Sequence, residues 1–177
     1  MNDDNDSALF KDSMKGVTPL KDDGKILSQK NRPKPFKLNL EYAESTIQDN
    51  LSDFQRTELV DSDERLSFKR SGVQHRQFQQ LQRGQFPLEA DLDLHGMVAQ
   101  DAKIMMLQFL DWAVEERLRT ICIIHGKGYG SSEYPVLKNK LNNWLRQSHH
   151  VIAFCSAQPK DGGSGALYVR LKSNGFT

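Results

Sequence analysis

The sequence predicts an α/β fold, a compact βαβαββ sandwich over residues 88–172, and three observations carry it. Ala90–Leu94 alternates polar and apolar with period two, Thr120–Ile124 is a continuous run rich in β-branched residues, and apolar residues between and after them recur at helical spacing. Strands alternating with helices in this way imply a sheet with helices packed on it.

The first strand, Ala90 to Leu94, would send Leu92 and Leu94 inward and Asp91, Asp93 and His95 out together. Gly96 breaks it. Met97 to Leu118 then reads as a long helix whose apolar set, Ala102, Met106, Phe109, Leu110, Ala113 and Val114, repeats at three and four. The run Thr120–Ile124 has the texture of a strand covered on both faces. After a glycine-rich loop, Pro135 suits the first turn of a second helix, in which Leu137, Leu141, Trp144 and Leu145 share a face. His149 and His150 follow it as expected surface residues. Val151–Cys155 is a third strand, Ser156–Gly165 a second glycine-rich loop, and Ala166–Leu171 a fourth strand. Right-handed crossovers between consecutive strands predict a mainly parallel sheet carrying two helices.

Residues 1–87 read as a largely irregular extension with short helices, and 173–177 as a tail. Ser7–Met14 would form a short helix only if docked on a partner. Lys25–Leu40 is basic, free of acid and broken by Pro33 and Pro35, so it is expected to be an extended linker, either a solvated tail or an arm that tracks nucleic acid. Asp49–Glu64 is acidic and irregular. Arg65–Arg83 is basic again. Within it Val73–Gln82 could be a helix with Phe78 and Leu81 inward and Gly84 as its stop. Phe68, Phe78 and Phe86 are interleaved with the basic residues, a pattern that suits single-stranded nucleic acid or docking of the arm; docking is the favoured reading.

The 177 residues carry a formal net charge of +1, so total charge selects no class of partner. The two cysteines, Cys122 and Cys155, sit in apolar runs and read as buried structural thiols rather than a disulfide framework or zinc knuckle. The first six residues are acidic with no apolar stretch behind them, and no apolar run reaches the roughly 20 residues needed to span a bilayer. A cytoplasmic protein without membrane association is expected.

If the first two strands are parallel neighbours, His95 and His125 both lie at carboxyl ends, the edge where open α/β sheets bind ligands. His125-Gly126-Lys127-Gly128 holds what a phosphate site needs, glycines that bring backbone N–H groups close and a mobile positive charge. It is neither a P-loop nor a dinucleotide fingerprint. From the pattern alone, Asp93 and His95 read first as a surface pair and His125 as a satisfied strand-capping histidine, with catalysis second; a metal site of Asp93, His95 and His125 has suitable ligand types but no close-spaced ligand motif behind it.

Asp93-Leu94-His95-Gly96, Ile123-Ile124-His125-Gly126-Lys127-Gly128, Leu141-x-x-Trp144-Leu145 and Gly162-Gly163-x-Gly165-Ala166, in this order, resemble the Smr (small MutS-related) domain over residues 88–172. The arm ahead of it is similar to that of stand-alone bacterial Smr proteins, SmrA more than SmrB. The resemblance implies a sandwich like the C-terminal domain of bacterial translation initiation factor three and an endonuclease, RNA favoured over DNA, acting on messenger RNA at stalled ribosomes, with the ribosome as a partner through the extension. A DNA-nicking enzyme and a non-catalytic nucleic-acid or ribosome-binding module are the alternatives. It places Asp93 and His95 in the catalytic position and His125, Gly126, Lys127, Gly128, Gly162 and Gly163 in substrate binding; it implies no cofactor, and divalent metal dependence stays open. Met97-Val98 stands where many relatives carry a threonine cap, an expected loss of about 1 kcal/mol in helix stability.

Overall fold

The computed structural model describes Phe36, Leu51, residues 59–128 and residues 135–172. The expected helix at Ser7–Met14, the basic linker other than Phe36, and the loop Tyr129–Ser132 lie outside them. The elements are β1 (Ser67–Lys69), α1 (His75–Gln82), β2 (Ala90–Asp93), α2 (Ala99–Glu115), β3 (Thr120–Ile124), α3 (Val136–Gln147), β4 (Val151–Ser156) and β5 (Ala166–Leu171), with two 3-10 turns, Pro159–Asp161 and Gly163–Gly165, between the last two strands.

One five-stranded sheet runs in the order β1-β4-β5-β3-β2. The expected β2-α2-β3 unit is present, with Leu92 opposite Ile123 in a parallel pair. The expectation of a mainly parallel sheet is corrected, because β5 pairs antiparallel with both β3 and β4, and β1 antiparallel with β4. The reason lies in the connection. A parallel return needs a crossover of about a dozen residues or more, usually a helix. The link from Ser156 to Ala166 carries only two single-turn 3-10 pieces, so β5 folds back beside β4 and fills the space between β4 and β3.

Alternation along the strands builds two cores. Leu92, Ile121, Ile123, Phe154, Leu167 and Val169 face α2 and α3, where Met106, Phe109, Leu110, Leu141 and Trp144 meet them. On the opposite face Cys122, Cys155, Ala166 and Tyr168 pack against Phe78 and Leu81 of α1. The sheet therefore carries three helices rather than the expected two, one of them from the arm. α1 ends as expected near Gly84, which takes a φ of 62° and would press a Cβ to 2.9 Å from the Tyr168 hydroxyl. Both cysteines are buried and free, and desolvation pushes their thiols up to about 12 and about 11. Neither is a nucleophile at neutral pH.

The arm is tied down by side chains that sequence patterning does not single out. Lys138 of α3 is fully buried and donates to the carbonyls of Asp61, Ser62 and Glu64 at 2.8, 2.8 and 2.5 Å. Next to it Asn139 exchanges hydrogen bonds with both backbone groups of Val60, at 2.8 and 3.0 Å. Arg70 donates to the carbonyls of Arg146 and Ser148, both at 2.9 Å, and so satisfies the end of α3. Phe68 lies on Phe154 with ring centroids 5.2 Å apart. Docking therefore accounts for Phe68, Phe78 and Arg70. α2 opens without a side-chain cap at Val98. His150 is half-buried rather than a surface residue, with Nε2 3.3 Å from Asp111.

Among the described residues no helix is long and apolar enough to cross a membrane.

Candidate active site at the carboxyl edge of the sheet

Because β2 and β3 are parallel, Asp93 and Ile124 end side by side, and the chain leaves both strands at one edge of the sheet. β5 runs the other way, so the loop Gly162–Gly165 that feeds it reaches the same edge. Three stretches distant in sequence thus converge.

After Asp93 the chain turns tightly, with the Met97 N–H on the Leu94 carbonyl at 3.1 Å and Gly96 at a φ of 73°. Asp93 Oδ1 accepts from the His95 backbone N–H at 3.0 Å and lies 2.7 Å from His95 Nδ1. A carboxylate accepts only, so Nδ1 carries a proton and Nε2 is directed away from the pair. The imidazole side chain is 70% exposed and that of Asp93 47%, so both are open to a macromolecular ligand. Asp91, also exposed, takes no part in the pair.

The His125 loop is held from behind. The N–H groups of His125 and Gly126 both donate to the Gly165 carbonyl, at 2.9 and 3.0 Å. Those two amides are therefore occupied, and the part of the loop left exposed is Lys127 and Gly128. His125 itself is buried, at 4% exposure, and its Nδ1 lies 2.7 Å from the Gly126 carbonyl. The carbonyl fixes the tautomer with the proton on Nδ1, leaving Nε2 buried without a partner among the described residues. Desolvation lowers its pKa from 6.5 to about 4, against a smaller opposing contribution from the bond to Gly126. His125 is a neutral, loop-holding residue, and His95 is the imidazole that faces outward.

Close backbone approach explains the glycines. A Cβ on Gly126 would stand 3.4 Å from His95 Cβ, so the two loops touch. Gly162, at a φ of 108°, would place a Cβ 2.8 Å from that of Ala166. Gly163 faces open space at a φ of 61°. Tyr168 donates to Asp161 and accepts from the Gln158 N–H, bracing the same loop from the α1 side; sequence patterning gave no sign of this contact. Asp93, His95 and His125 do not form a metal-binding cluster, and no group of three or more His, Cys, Asp or Glu suited to a metal occurs among the described residues.

Residues 92–172 match the Smr domain family. Over 171 residues the chain is 32% identical to the protein of Escherichia coli K12 named probable DNA endonuclease SmrA, a match that covers 94% of this chain and 88% of that one. The chain belongs to the Smr family. It is also 31% identical over 168 residues to ribosome rescue factor SmrB of Vibrio campbellii, covering 95% of this chain and 93% of the relative. The crystal structure of YdaL, a stand-alone small MutS-related protein from Escherichia coli, superposes with a TM-score of 0.58 at 33% identity, covering 68% of this chain and 95% of that one. Three of the four motifs that resemble the Smr domain fall on the edge just described, Asp93 at the end of β2 with His95 behind it, His125–Gly128 after β3, and Gly162–Gly165 before β5, while Leu141, Trp144 and Leu145 lie in the core on α3.

Proposed function

We propose that this Smr protein is a cytoplasmic endoribonuclease that cuts messenger RNA in a ribosome-associated setting, with Asp93 and His95 as its catalytic pair. The observation that carries the reading is the exposed imidazole held at 2.7 Å by a carboxylate, beside a glycine loop bearing Lys127. His95 Nε2 takes the proton of a substrate 2'-hydroxyl, whose oxygen attacks the adjacent phosphorus. The bond to the 5'-oxygen breaks and that oxygen takes up a proton, leaving a 2',3'-cyclic phosphate and a 5'-hydroxyl. Asp93 orients the ring and stabilises the imidazolium that forms. Lys127 offsets charge developing on the phosphate, while Gly126, Gly128, Gly162 and Gly163 keep backbone, not side chains, at the contact surface, on the frame set by His125.

The deciding experiment compares wild type and His95→Ala on one end-labelled RNA and on its 2'-deoxy counterpart, with product ends mapped. Cleavage of RNA only, lost in the variant, is the expected result. Cleavage of the deoxy strand would establish a different attacking group. That DNA reading has its own support in the name of the SmrA relative, probable DNA endonuclease. Binding without any product would instead make the chain a nucleic-acid-binding module. Activity that survives chelator is expected; its loss would bring a divalent ion into the reaction. The setting rests on the SmrB relative, a ribosome rescue factor matched over 95% of this chain. Removing residues 1–24 is expected to abolish co-sedimentation with ribosomes, and unchanged co-sedimentation would exclude that segment as the contact.

A further inference from the structure

A cleft of about 450 Å³ opens between α1 and the adjoining ends of β1 and β4, and nothing in the proposed chemistry uses it. Its lining includes Arg65, Arg83, Gln79, Gln82 and Gln158, and no acidic residue. β4 runs in the same direction as β3, since β5 is antiparallel to both, so the Ser156 end of β4 lies at the edge that carries His95. The faces agree as well. Cys155, which lines the cleft, packs in the α1-side core, and Asp93 pairs with Ile124, which packs on that same side.

We propose that this cleft is a second binding place for the substrate strand, with Arg83 and Arg65 on a phosphate and Gln79 and Gln82 on base edges. Arg65 is already oriented, because its Nη2 donates to the Ser156 and Ala157 carbonyls at 3.2 and 3.1 Å, and a guanidinium has further donors to offer. Arg83 is exposed at the end of α1, and glutamine amides present both a donor and an acceptor to a base edge. With strands about 4.8 Å apart, three to four strand spacings put the cleft roughly 14–19 Å from His95. Between them exposed Lys127 and Lys160 stand on the loops that follow β3 and β4. A strand lying along this edge passes both lysines between the arginines of the cleft and the His95 pair, with the carboxylates of Asp93 and Asp161 also on its path. Sites for unpaired nucleic acid cover about 4–16 nucleotides, so contacts well beyond the scissile phosphate match such a ligand in scale.

The ligand's identity rests on the nuclease reading, so the test separates the two. Affinity for a labelled single-stranded RNA is measured as a function of salt for the His95→Ala protein alone and with Arg83→Ala, Arg83→Lys or Gln79→Ala added. Loss of the guanidinium is expected to weaken binding about tenfold and to lower the salt slope by about one, with Arg83→Lys restoring the slope. Gln79→Ala is expected to weaken binding with the slope unchanged. Circular dichroism of each variant checks that α1 is kept. Wild-type affinity and slope in a folded Arg83→Ala protein would overturn the proposal. Full cleavage by His95→Ala overturns the catalytic assignment instead, and the binding series still decides the cleft.

Discussion

Asp93 accepts two hydrogen bonds from His95, one from its backbone N–H and one at its ring, both on the same carboxylate oxygen. The first sets the turn after β2 and the second sets the ring within it. A single side chain thereby fixes the backbone and the tautomer of the residue proposed to move the proton. Asp93→Asn keeps an acceptor for the backbone N–H but withdraws the negative charge that stabilises an imidazolium. It is expected to lower kcat on RNA while leaving the thermal midpoint within a few degrees of wild type. His95→Ala is expected to lose about 10²–10⁴-fold, the usual contribution of a general base. Equal activity in wild type and both variants would remove the pair from the mechanism.

The second imidazole makes a different prediction, one of stability. His125 folds in its neutral form with a pKa near 4, while the unfolded chain binds a proton near 6.5. Between those values the unfolded state carries more protons, so stability falls as pH drops from 6.5 towards 4 and is fully present above 6.5. The difference corresponds to about 3 kcal/mol at most. Urea unfolding of wild type and His125→Gln across pH 7 to 4 measures it. The variant is expected to be less stable at pH 7 and to show a shallower decline. Parallel pH curves would mean that His125 titrates alike in both states.

Much of this arrangement is legible in the chain because it is written in short periods. The alternation at Ala90–Asp93 and the β-branched run at Thr120–Ile124 place His95 and His125 at one edge before any pairing is known, since a single right-handed crossover joins the two strands. The position of β5 is a long-range outcome, set by a connection too short to cross the sheet, and no local pattern in Ala166–Leu171 announces its partners. β1 is three residues long and holds its register through Phe68 on Phe154 and Arg70 on the carbonyls ending α3. Such contacts have no periodic signature. The two histidines look alike in sequence, each at a strand end before a glycine, and only burial distinguishes the outward one from the buried one.

Lys138 is a further case in which burial reverses the reading of a polar residue. It lies in the run Lys138-Asn139-Lys140, which resembles a solvated face, yet its ammonium is enclosed by three arm carbonyls. Desolvation lowers its pKa, opposed by the carboxylates of Glu64, Asp63 and Asp61. Lys138→Met keeps the aliphatic stem and removes the donors; the Asp61 carbonyl keeps the Glu64 N–H at 3.3 Å, while the Ser62 and Glu64 carbonyls lose the ammonium, at about 1–3 kcal/mol for each one left unpaired away from water. A loss of about 3 kcal/mol in urea unfolding at pH 7 is expected, against less than about 0.5 for the exposed Lys69→Met. Similar midpoints for the two variants would mean that water satisfies the arm as well as Lys138 does.

Gly165 separates the geometry of the site from the stability of the fold. Its carbonyl receives the N–H groups of His125 and Gly126, and a Cβ there would stand 3.3 Å from the Gly126 carbonyl carbon and from Lys127 Cγ. The loop has to shift by a few tenths of an ångström to admit a methyl group. Displacements of about 1 Å can cost 10²-fold in rate, so Gly165→Ala is expected to lower kcat/KM on RNA by several-fold to about tenfold with a small change in thermal midpoint. Gly72 provides the opposite case. It takes a φ of 94° in open space, between β1 and α1, so Gly72→Ala strains the backbone without touching the His125 loop. That variant is expected to lose about 1 kcal/mol of stability and to cleave RNA at the wild-type rate under folding conditions. If instead Gly165→Ala loses stability and keeps its rate, the Gly165 carbonyl supports the fold alone, and the working position of Lys127 does not depend on it.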